Sequence, residues 1–543
     1  MTTPRFSDKE LQELHSLARG WAKIISKRAF GDAGPGLDVD FRTFEQIATV
    51  AAQGLTEGTL ELLLEQQADK VTDQQPCPDF GTMCPTKPHT RTLTTKQGQI
   101  QQRERIAHCP ACRRDFFPLR KALGLDEHAY SCSVIEKVVT ASARFGSFKD
   151  ATAAVVMSGI EISESQVRRL AHEVGQELIQ QRDRKAVEYR QRKLLPRAVV
   201  VPAAVVVEVD GGRIRTRAEG SAPGVHDAQN KEDKIACLAT MSSQIFEIDP
   251  QPEPTEMFLC PRRVQRLVQQ MKGGAGEHNE LDTPVESSDR QADPKEAETK
   301  DRWSPELLVR TCVASLESSG SFGPLMAAEA QERRFYDAPR RAFVADGMTY
   351  NWSIQDNYFR GFEPIVDLFH VLCYVYLAAH AVSADETISW SQYVEWMRAC
   401  WQGRVGEVIG ELDQWQQRLG QPPKPASDSA EDRRDPRRVV YEARTYLRNN
   451  QGRMDYPRYR REGLPTTSSL VESLVGEFNA RVKSKQKHWV RPDGAESILQ
   501  LRAAVLSEDD RLSRYFADRP GCPFRKRPSD NGSPDHRPVQ TAA

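Results

Sequence analysis

Three acidic residues, far apart in the sequence, stand where carboxylates could hold divalent metal ions. Asp210 and Asp346 each end a short apolar run and are followed by glycine, while Glu472 lies beside the apolar face of a predicted helix, Leu470 to Lys483. Mg²⁺ and Mn²⁺ favour carboxylate oxygens, and two such ions held about 3.5–4 Å apart promote phosphodiester chemistry. A lone Asp at a strand end is more often a turn residue, so these residues alone leave a structural role open.

Four cysteines are spaced for a second kind of metal site. They are Cys77, Cys84, Cys109 and Cys112, the last two in the string CPAC. Two Cys pairs separated by a hairpin-length insert can close a tetrahedral zinc site, which predicts a structural Zn²⁺. The six-residue gap in the first pair is long, so His89 or His108 could replace Cys84. Buried thiols without metal are the remaining alternative.

The composition limits the class of protein that must position these residues. The chain has 543 residues, 39% hydrophobic and 28% charged, with a formal net charge of −1, which is typical of a globular protein and excludes a uniformly basic nucleic-acid coat. No apolar run is long enough to cross a bilayer, and the N-terminus lacks a secretion signal. Of the eleven Cys, the seven outside the candidate zinc site are scattered, which favours a reducing compartment over a disulfide framework. We therefore expect no membrane contact and a cytoplasmic location.

The pattern along the chain predicts a multidomain α+β protein. We expect an N-terminal helical region (1–70), a zinc-ribbon-like module (71–125), a helical, helix-turn-helix-like region (126–195), an α/β core (196–370), a helical insertion (371–465), a segment carrying the Glu472 helix and a C-terminal helix (466–516), and a disordered tail (517–543). Within the core, the acidic stretch 273–301 has no periodicity and is predicted to be a disordered insert.

Local signals predict individual elements within these regions. Arg91 to Ile106 has the pattern of a hairpin turning at Gln97-Gly98. We predict a helix from about Ser133 to Arg144 and another from near Phe148 to a turn at Ser158-Gly159. Ser163, followed by Gln166, marks the start of the next helix, the second of a helix-turn-helix candidate, for which a plain helical spacer is the alternative. In the core we predict a strand ending at Asp210, a separate strand from Arg213 to Arg217, and a helix from Pro305 to Leu316.

Four long stretches of the sequence match one family pattern. They are DGGRIRTRAEGSAPGVHD, FVADGMTYNW, YLRNNQGRMDYPRYRREGLPTTSSLVESL and AESILQLRAAVLSEDDRLSRYFADRPGCPF. They resemble one group of bacterial insertion-sequence transposases, the Kra type, from about Cys77 to Pro523. In the ribbon, CPDF puts Phe80 where this family usually has a second Cys, and this weakens the first half of the zinc site.

The resemblance implies an enzyme of the DDE class with a ribonuclease-H-like core. Such enzymes carry one Asp after the first strand, one after the fourth and a Glu on a later helix, roles that fall on Asp210, Asp346 and Glu472. It also implies a helical insertion before the Glu helix. Asp367 and His370, in DLFH, resemble a Cys/Asp-x-x-His motif of related transposases and could be accessory residues, or a structural pair.

Basic residues near these motifs are candidates for DNA contact. Arg168 and Arg169 would lie early on the second helix of the helix-turn-helix candidate, where base contacts are usual. Between Arg433 and Arg461 the chain has ten Arg against three acidic residues, with Tyr among them. The remaining candidates follow Glu472 and are Arg481, Lys483, Lys485, Lys487 and Trp489. A solvated charged face is the alternative.

We therefore expect a DDE transposase that cleaves DNA and transfers strands with two Mg²⁺ or Mn²⁺ ions. Water would attack a phosphate at the element end, and the released 3′ hydroxyl would attack target DNA. The expected partners are the terminal inverted repeats, target DNA and, as the resemblance implies, a second copy in a homodimer. One alternative is a catalytically inactive or domesticated DNA-binding protein derived from such an element, and another is a nuclease that hydrolyses without joining.

Overall fold

The computed structural model shows a mixed α+β protein. It describes residues 6–217, 229–273, 303–422, 434–483, 489 and 492–525. The chain divides into two compact units. The terminal unit comprises Met1–Val138, Thr152–Glu164 and Tyr515–Ala543, and the central unit comprises Val139–Ala151 and Ser165–Arg514. Among the described residues, every helix is too short or too polar to span a lipid bilayer.

The terminal unit contains a four-stranded antiparallel sheet that carries the cysteines. Its strands, in spatial order, are β1 (Gln74–Pro76), β2 (Met83–Thr95), β3 (Gly98–Cys109) and β4 (Arg114–Phe116). β2 and β3 form the predicted hairpin, with Thr95 paired to Gly98. The loop residue Gly98 has φ +136°, a region that favours glycine.

Helices precede this sheet. They are α1 (Asp8–Gly20), α2 (Ala22–Phe30) and α3 (Phe41–Ala68), and a short α4 (Arg120–Leu123) follows β4. α3 packs on the hairpin, where its Leu60 and Leu64 contact the buried side chains of Leu93 and Ile100. These contacts cover one face of α3.

Three helices occupy the predicted helix-turn-helix region. They are α5 (Cys132–Arg144), α6 (Phe148–Met157) and α7 (Glu164–Arg190). α6 ends at the predicted Ser158-Gly159 turn, where Gly159 has φ +83°, and α7 begins directly after Ser163. The predicted helix boundaries here are confirmed.

The central unit is built on a five-stranded mixed sheet. Its strands are β5 (Ala204–Thr216), β6 (Gln229–Ser242), β7 (Glu306–Ser315), β8 (Arg340–Ala345) and β9 (Glu363–Val366), in the spatial order β7-β6-β5-β8-β9. β6 runs antiparallel to β5 and β7, whereas β5, β8 and β9 run parallel. The β-branched run of β5 is buried at the centre of this sheet.

Helices surround the sheet and fill the region between β9 and Glu472. They are α8 (Pro261–Gly273), α9 (Ser319–Glu332), α10 (Thr349–Tyr358), α11 (Leu368–Val382), α12 (Glu386–Trp401), α13 (Val405–Leu419), α14 (Pro436–Asn450), α15 (Tyr456–Arg461), α16 (Ser469–Val482), α17 (Pro492–Leu506) and α18 (Arg511–Asp518). α11 to α15 form the helical insertion.

Two of the predicted core elements are wrong. The strand of Asp210 does not end there, because β5 continues through Gly211 and Gly212 to Thr216 and stays paired with β6. Residues 306–315 form strand β7 instead of a helix. Val309, Thr311 and Val313 alternate along it, which is the two-residue period of a strand.

The predicted disordered tail is ordered at its beginning. Phe524 forms an antiparallel bridge with Phe116, and the N–H of Phe117 donates to the carbonyl of Pro523 at 2.7 Å. Residues 522–525 thus pair alongside the edge strand β4 within the terminal unit. The rest of the predicted tail (526–543) and nearly all of the acidic stretch 273–301 lie outside the described residues.

Candidate functional site

Three carboxylates lie side by side at one edge of the central sheet. Val209 pairs with Ala345 on β8, and Ala345 pairs with Val366 on β9. Asp210, Asp346 and Asp367 therefore each come one residue after a paired residue on adjacent parallel strands, which are about 4.8 Å apart. The parallel register brings together acids that are far apart in the sequence.

Glu472 reaches this edge from the first turn of α16. Its carboxylate accepts a hydrogen bond from the Ser468 hydroxyl at 3.2 Å. The helix itself is held by a buried acid on β5, because Glu208 Oε2 accepts from the N–H of Val471 at 2.8 Å. Since Glu208 and Asp210 are two residues apart on one strand, they share a face of the sheet, and that face receives the start of α16.

Asp367 links the starts of two helices. It is fully buried, and one of its oxygens accepts from the N–H of Ser468 at 2.8 Å. Its other oxygen accepts from the N–H of His370 at 3.0 Å and contacts Nδ1 of the same residue at 2.7 Å. Asp367 thereby caps α11, orients the His370 ring and fixes the loop before Glu472.

The tightest cluster at this edge is Asp367, His370 and Glu472, whose possible ligand atoms lie within 4.8 Å of one another. Asp210 and Asp346 are not in a group of that tightness among the described residues. Asp346 is instead held by the N–H of Met348 and the side-chain amide of Asn351, both at 2.9 Å.

These acids nevertheless lie close enough for the negative charge of one to raise the pKa of another. Burial, with the charges of Asp346 and Asp367, raises the pKa of Asp210 to about 6, although the N–H of Gly211 and His370 oppose the rise. Burial, with the charges of Asp367 and Asp210, raises the pKa of Glu472 to about 7. The charge of Asp346 thus raises the pKa of Asp210, and the charge of Asp210 raises the pKa of Glu472. Each of the three predicted ligands is electrostatically coupled to another.

The imidazole of His370 partly compensates this negative charge. Burial works against the protonated form of His370, but the hydrogen bond and charge of Asp367, together with Asp346 and Asp210, raise its pKa to about 9. The neighbouring Glu208 is fully buried, and burial with the charges of Asp367 and Glu472 raises its pKa to about 8. The carboxyl groups of this cluster outnumber its one described imidazole, and such an oxygen-rich cluster fits hard divalent cations.

Asp233 on β6 adds a further acid beside the same strand. It pairs with Gly212, and a Cβ added to Gly212 would lie 2.9 Å from its carboxylate. Asp233 is fully buried, and neither of its carboxylate oxygens has a hydrogen-bond partner among the described residues. Burial, with the charges of Asp210 and Glu232, raises its pKa to about 6, against the opposing effect of Lys483.

Sequence reasoning missed Glu208 and Asp233. Glu208 could have been recognised in the sequence, because it is an acid within a Val-rich run and lies two residues before Asp210. Asp233 offered less, because it stands among alternating charges at the start of β6. Only the pairing of β6 with β5 reveals that it is buried.

The cysteine cluster lies in the terminal unit. The Sγ atoms of Cys77, Cys109 and Cys112 lie within 4.8 Å of one another, and Cys77 and Cys112 are 3.8 Å apart. The backbone N–H of Cys112 is the main cause that lowers the pKa of Cys109 to about 7, which favours a thiolate. Burial raises the pKa of Cys112 to about 11.

Cys84 and the two His alternatives are distinguished by their surroundings. Cys84 is fully buried in the same cluster and its thiol donates to the carbonyl of Thr82 at 3.2 Å, although it lies outside the tightest group. His89 contacts Glu104 at 3.1 Å, and His108 contacts Asp115 at 2.9 Å. The structure thus favours Cys84 as the fourth side chain of this cluster.

The Arg and Lys residues predicted to contact DNA fall into three groups. Arg168 and Arg169 are exposed on α7, and Lys483 is exposed directly after α16. Arg481 is 3% exposed, and its guanidinium donates to the carbonyl of Ser142 at 2.8 Å, so this side chain is engaged within the fold. Lys485 and Lys487 lie outside the described residues.

Trp489 and the Arg-rich stretch also have structural contacts. The backbone of Trp489 bridges to Thr216 at the end of β5, and its indole N–H donates to the carbonyl of Val482 at 2.9 Å. Arg460 is fully buried and bonds Asp249 at 2.5 Å. These two residues hold the fold together, and the exposed cations are the better candidates for DNA contact.

A scan against protein-family models and a search of curated proteins found no match to this chain.

Proposed function

We propose that the central unit is a DDE transposase that cleaves DNA and transfers strands with two divalent ions. The observation that carries the proposal is the convergence of Asp210, Asp346 and Glu472 on one sheet edge. The first lies on the first strand of the sheet, the second directly after the fourth, and the third on a later helix. This is the arrangement that the resemblance to Kra-type transposases implies for a ribonuclease-H-like core.

The charge balance of the edge supports a metal-dependent reaction. Burial and like charge raise the pKa of Asp210 to about 6 and of Glu472 to about 7, so bound cations would relieve an existing repulsion. Two divalent ions at such a site activate the attacking oxygen and neutralise the charge on the phosphodiester. Asp210, Asp346 and Glu472 would hold them.

The neighbouring residues keep these ligands in place. Asp367 orients His370 and fixes the loop before α16, and Glu208 holds the first turn of that helix. Pre-organisation of this kind matters because a misplacement of about 1 Å can cost about 100-fold in rate. A protonated His370 beside the carboxylates can also hydrogen-bond an anionic phosphate oxygen.

The terminal unit is proposed to hold a structural Zn²⁺ through Cys77, Cys84, Cys109 and Cys112. Its buried sulfur atoms and the backbone N–H groups directed at Cys109 favour thiolates, which are the ligands that zinc prefers in closed structural sites. The ribbon would recognise DNA, and Arg168 and Arg169, exposed on α7 of the central unit, would contact DNA separately.

The test uses the full chain, Mg²⁺ and a plasmid that carries the gene with its native flanking DNA, mixed with a second plasmid as target. We expect 3′-hydroxyl ends at the element boundary and joint molecules. Asp210→Asn, Asp346→Asn and Glu472→Gln should each lower both products by at least 100-fold. The matched control is Glu477→Gln, on the same helix but paired with Arg310, which should keep activity.

Each outcome has a defined meaning. Cleavage that survives all three substitutions refutes the assignment of the ligands. Cleaved ends without joint molecules indicate a nuclease. Bound but uncut flanking DNA, in the presence of Mg²⁺ or Mn²⁺, indicates a DNA-binding protein without catalysis.

A further inference from the structure

The first two helices of the terminal unit expose a continuous apolar stripe. α1 and α2 contain no buried residue. Between them, Trp21 keeps right-handed helical dihedrals (φ −69°, ψ −18°), and the N–H of Ile25 donates to the carbonyl of Trp21 at 3.0 Å. Residues 8–30 thus form an almost continuous helical segment about 34 Å long.

Four large apolar side chains lie along one side of this segment. They are Leu14, Leu17, Trp21 and Ile24, exposed to 55%, 67%, 50% and 61%. Their spacing of three and four residues places them on one helical face. A stripe of this size, exposed to water, is typical of an interaction surface.

The charged residues at the two ends of the stripe are opposite in sign. Glu10 stands four residues before Leu14, and Arg28 stands four residues after Ile24, so both continue the same helical face. One oxygen of Glu10 accepts from Ser7 in the helix cap. Arg28 has no partner among the described residues. The stripe is therefore acidic at its start, apolar in the middle and basic at its end.

The pattern is symmetric about Arg19. Residues 10 and 28, 14 and 24, and 17 and 21 are equally distant from this point, so the face has an acid–apolar–base pattern that is complementary to itself when reversed. An antiparallel second copy would place Leu14 against Ile24 and Leu17 against Trp21, with Glu10 facing Arg28 at both ends. A parallel copy would oppose like charges instead.

We propose that α1 and α2 form an antiparallel dimer interface with a second copy of this chain. The inference rests on this surface alone and does not depend on the proposed DNA chemistry. A two-fold contact of this kind is self-complementary by construction, as closed dimers require. The apolar centre supplies the affinity, and the end charges select the antiparallel direction.

The first test measures the molar mass of the full chain by light scattering over a concentration series. We expect a reversible dimer. Leu17→Glu should raise its dissociation constant by more than about 30-fold, as expected for a central apolar contact. Ile388→Glu alters an equally exposed apolar residue, 60% exposed on α12, and should leave the dimer intact. A monomeric native chain, or a dimer unchanged by Leu17→Glu, overturns the proposal.

The second test fixes the direction and guards against simple unfolding. Glu10→Lys and Arg28→Glu should each weaken the dimer, because each places like charges at both ends. An equimolar mixture of the two variants should recover association, since every end contact is then between opposite charges. The helical circular dichroism signal of each variant is recorded alongside. If the mixture associates no better than either variant alone, the antiparallel pairing is wrong.

Discussion

Replacing Asp210 with Asn should stabilise the metal-free protein while removing its response to Mg²⁺. Burial and the nearby acids raise the pKa of this carboxyl from 3.8 to about 6. An acid whose pKa is raised on folding destabilises the folded state once it is ionised, by up to about 3 kcal/mol for a rise of this size. Because part of the Asp210 side chain is exposed, solvent screening should reduce the observed gain below that bound, to about 1–2 kcal/mol.

The sign of the pH dependence follows from the same values. Above pH 6 the carboxyl is ionised in both states, and the full penalty applies to the native protein. Between pH 6 and 3.8 the folded state takes up its proton first, so the penalty falls. The advantage of Asp210→Asn should therefore be largest at pH 8, fall to roughly half at pH 5 and vanish below pH 4.

Urea unfolding followed by tryptophan fluorescence provides the measurement. Seven of the eight Trp residues lie in the central unit, so the signal reports mainly on the unit that contains Asp210. Each variant is unfolded at pH 8 and pH 5, with chelator or with Mg²⁺. Asp356→Asn, on the exposed side of α10, is the control and should behave like the native chain. A loss of stability in Asp210→Asn at pH 8 without metal would refute the repulsion argument.

Three further experiments test other contacts. Glu208→Leu should leave the first turn of α16 without its acceptor and cost about 1–3 kcal/mol in urea unfolding, and Glu208→Gln should recover most of it. Arg333→Met should cost at least about 3 kcal/mol by the same measurement, because this buried guanidinium binds two strand carbonyls and a Thr hydroxyl. Cys109→Ser combined with Cys112→Ser should reduce zinc measured by mass spectrometry from one ion per chain to none, whereas Cys260→Ser should retain it. Unchanged stability in the first two cases, or retained zinc in the third, contradicts the corresponding contact.

Much of the sheet edge could be predicted because its signals are local. Asp210, Asp346 and Asp367 each follow an apolar run, and an acid directly after a buried strand is visible in the sequence alone. The hairpin of β2 and β3 and the boundaries of α5 to α7 depend on turn residues and helix caps, which act over a few positions. These features needed no knowledge of distant contacts.

The errors arose where distant pairing decides the structure. β7 is a strand because it pairs with β6, although its first residues favour a helix. Arg481 lies in a basic stretch of the sequence, which favours an exposed side chain, but its guanidinium is buried against the end of α5. Neither outcome could be read from neighbouring residues, since propensity is weaker than tertiary packing.

The pairing of residues 522–525 with β4 also constrains when the terminal unit is completed during synthesis. Arg525 bonds Asp115, 410 residues earlier, so the cysteine-bearing sheet emerges from the ribosome long before its last edge contact exists. At 5–20 residues per second, this interval is roughly 20 to 80 s. During that time the edge of β4 is open, and nascent chains on neighbouring ribosomes are exposed to pairing through it.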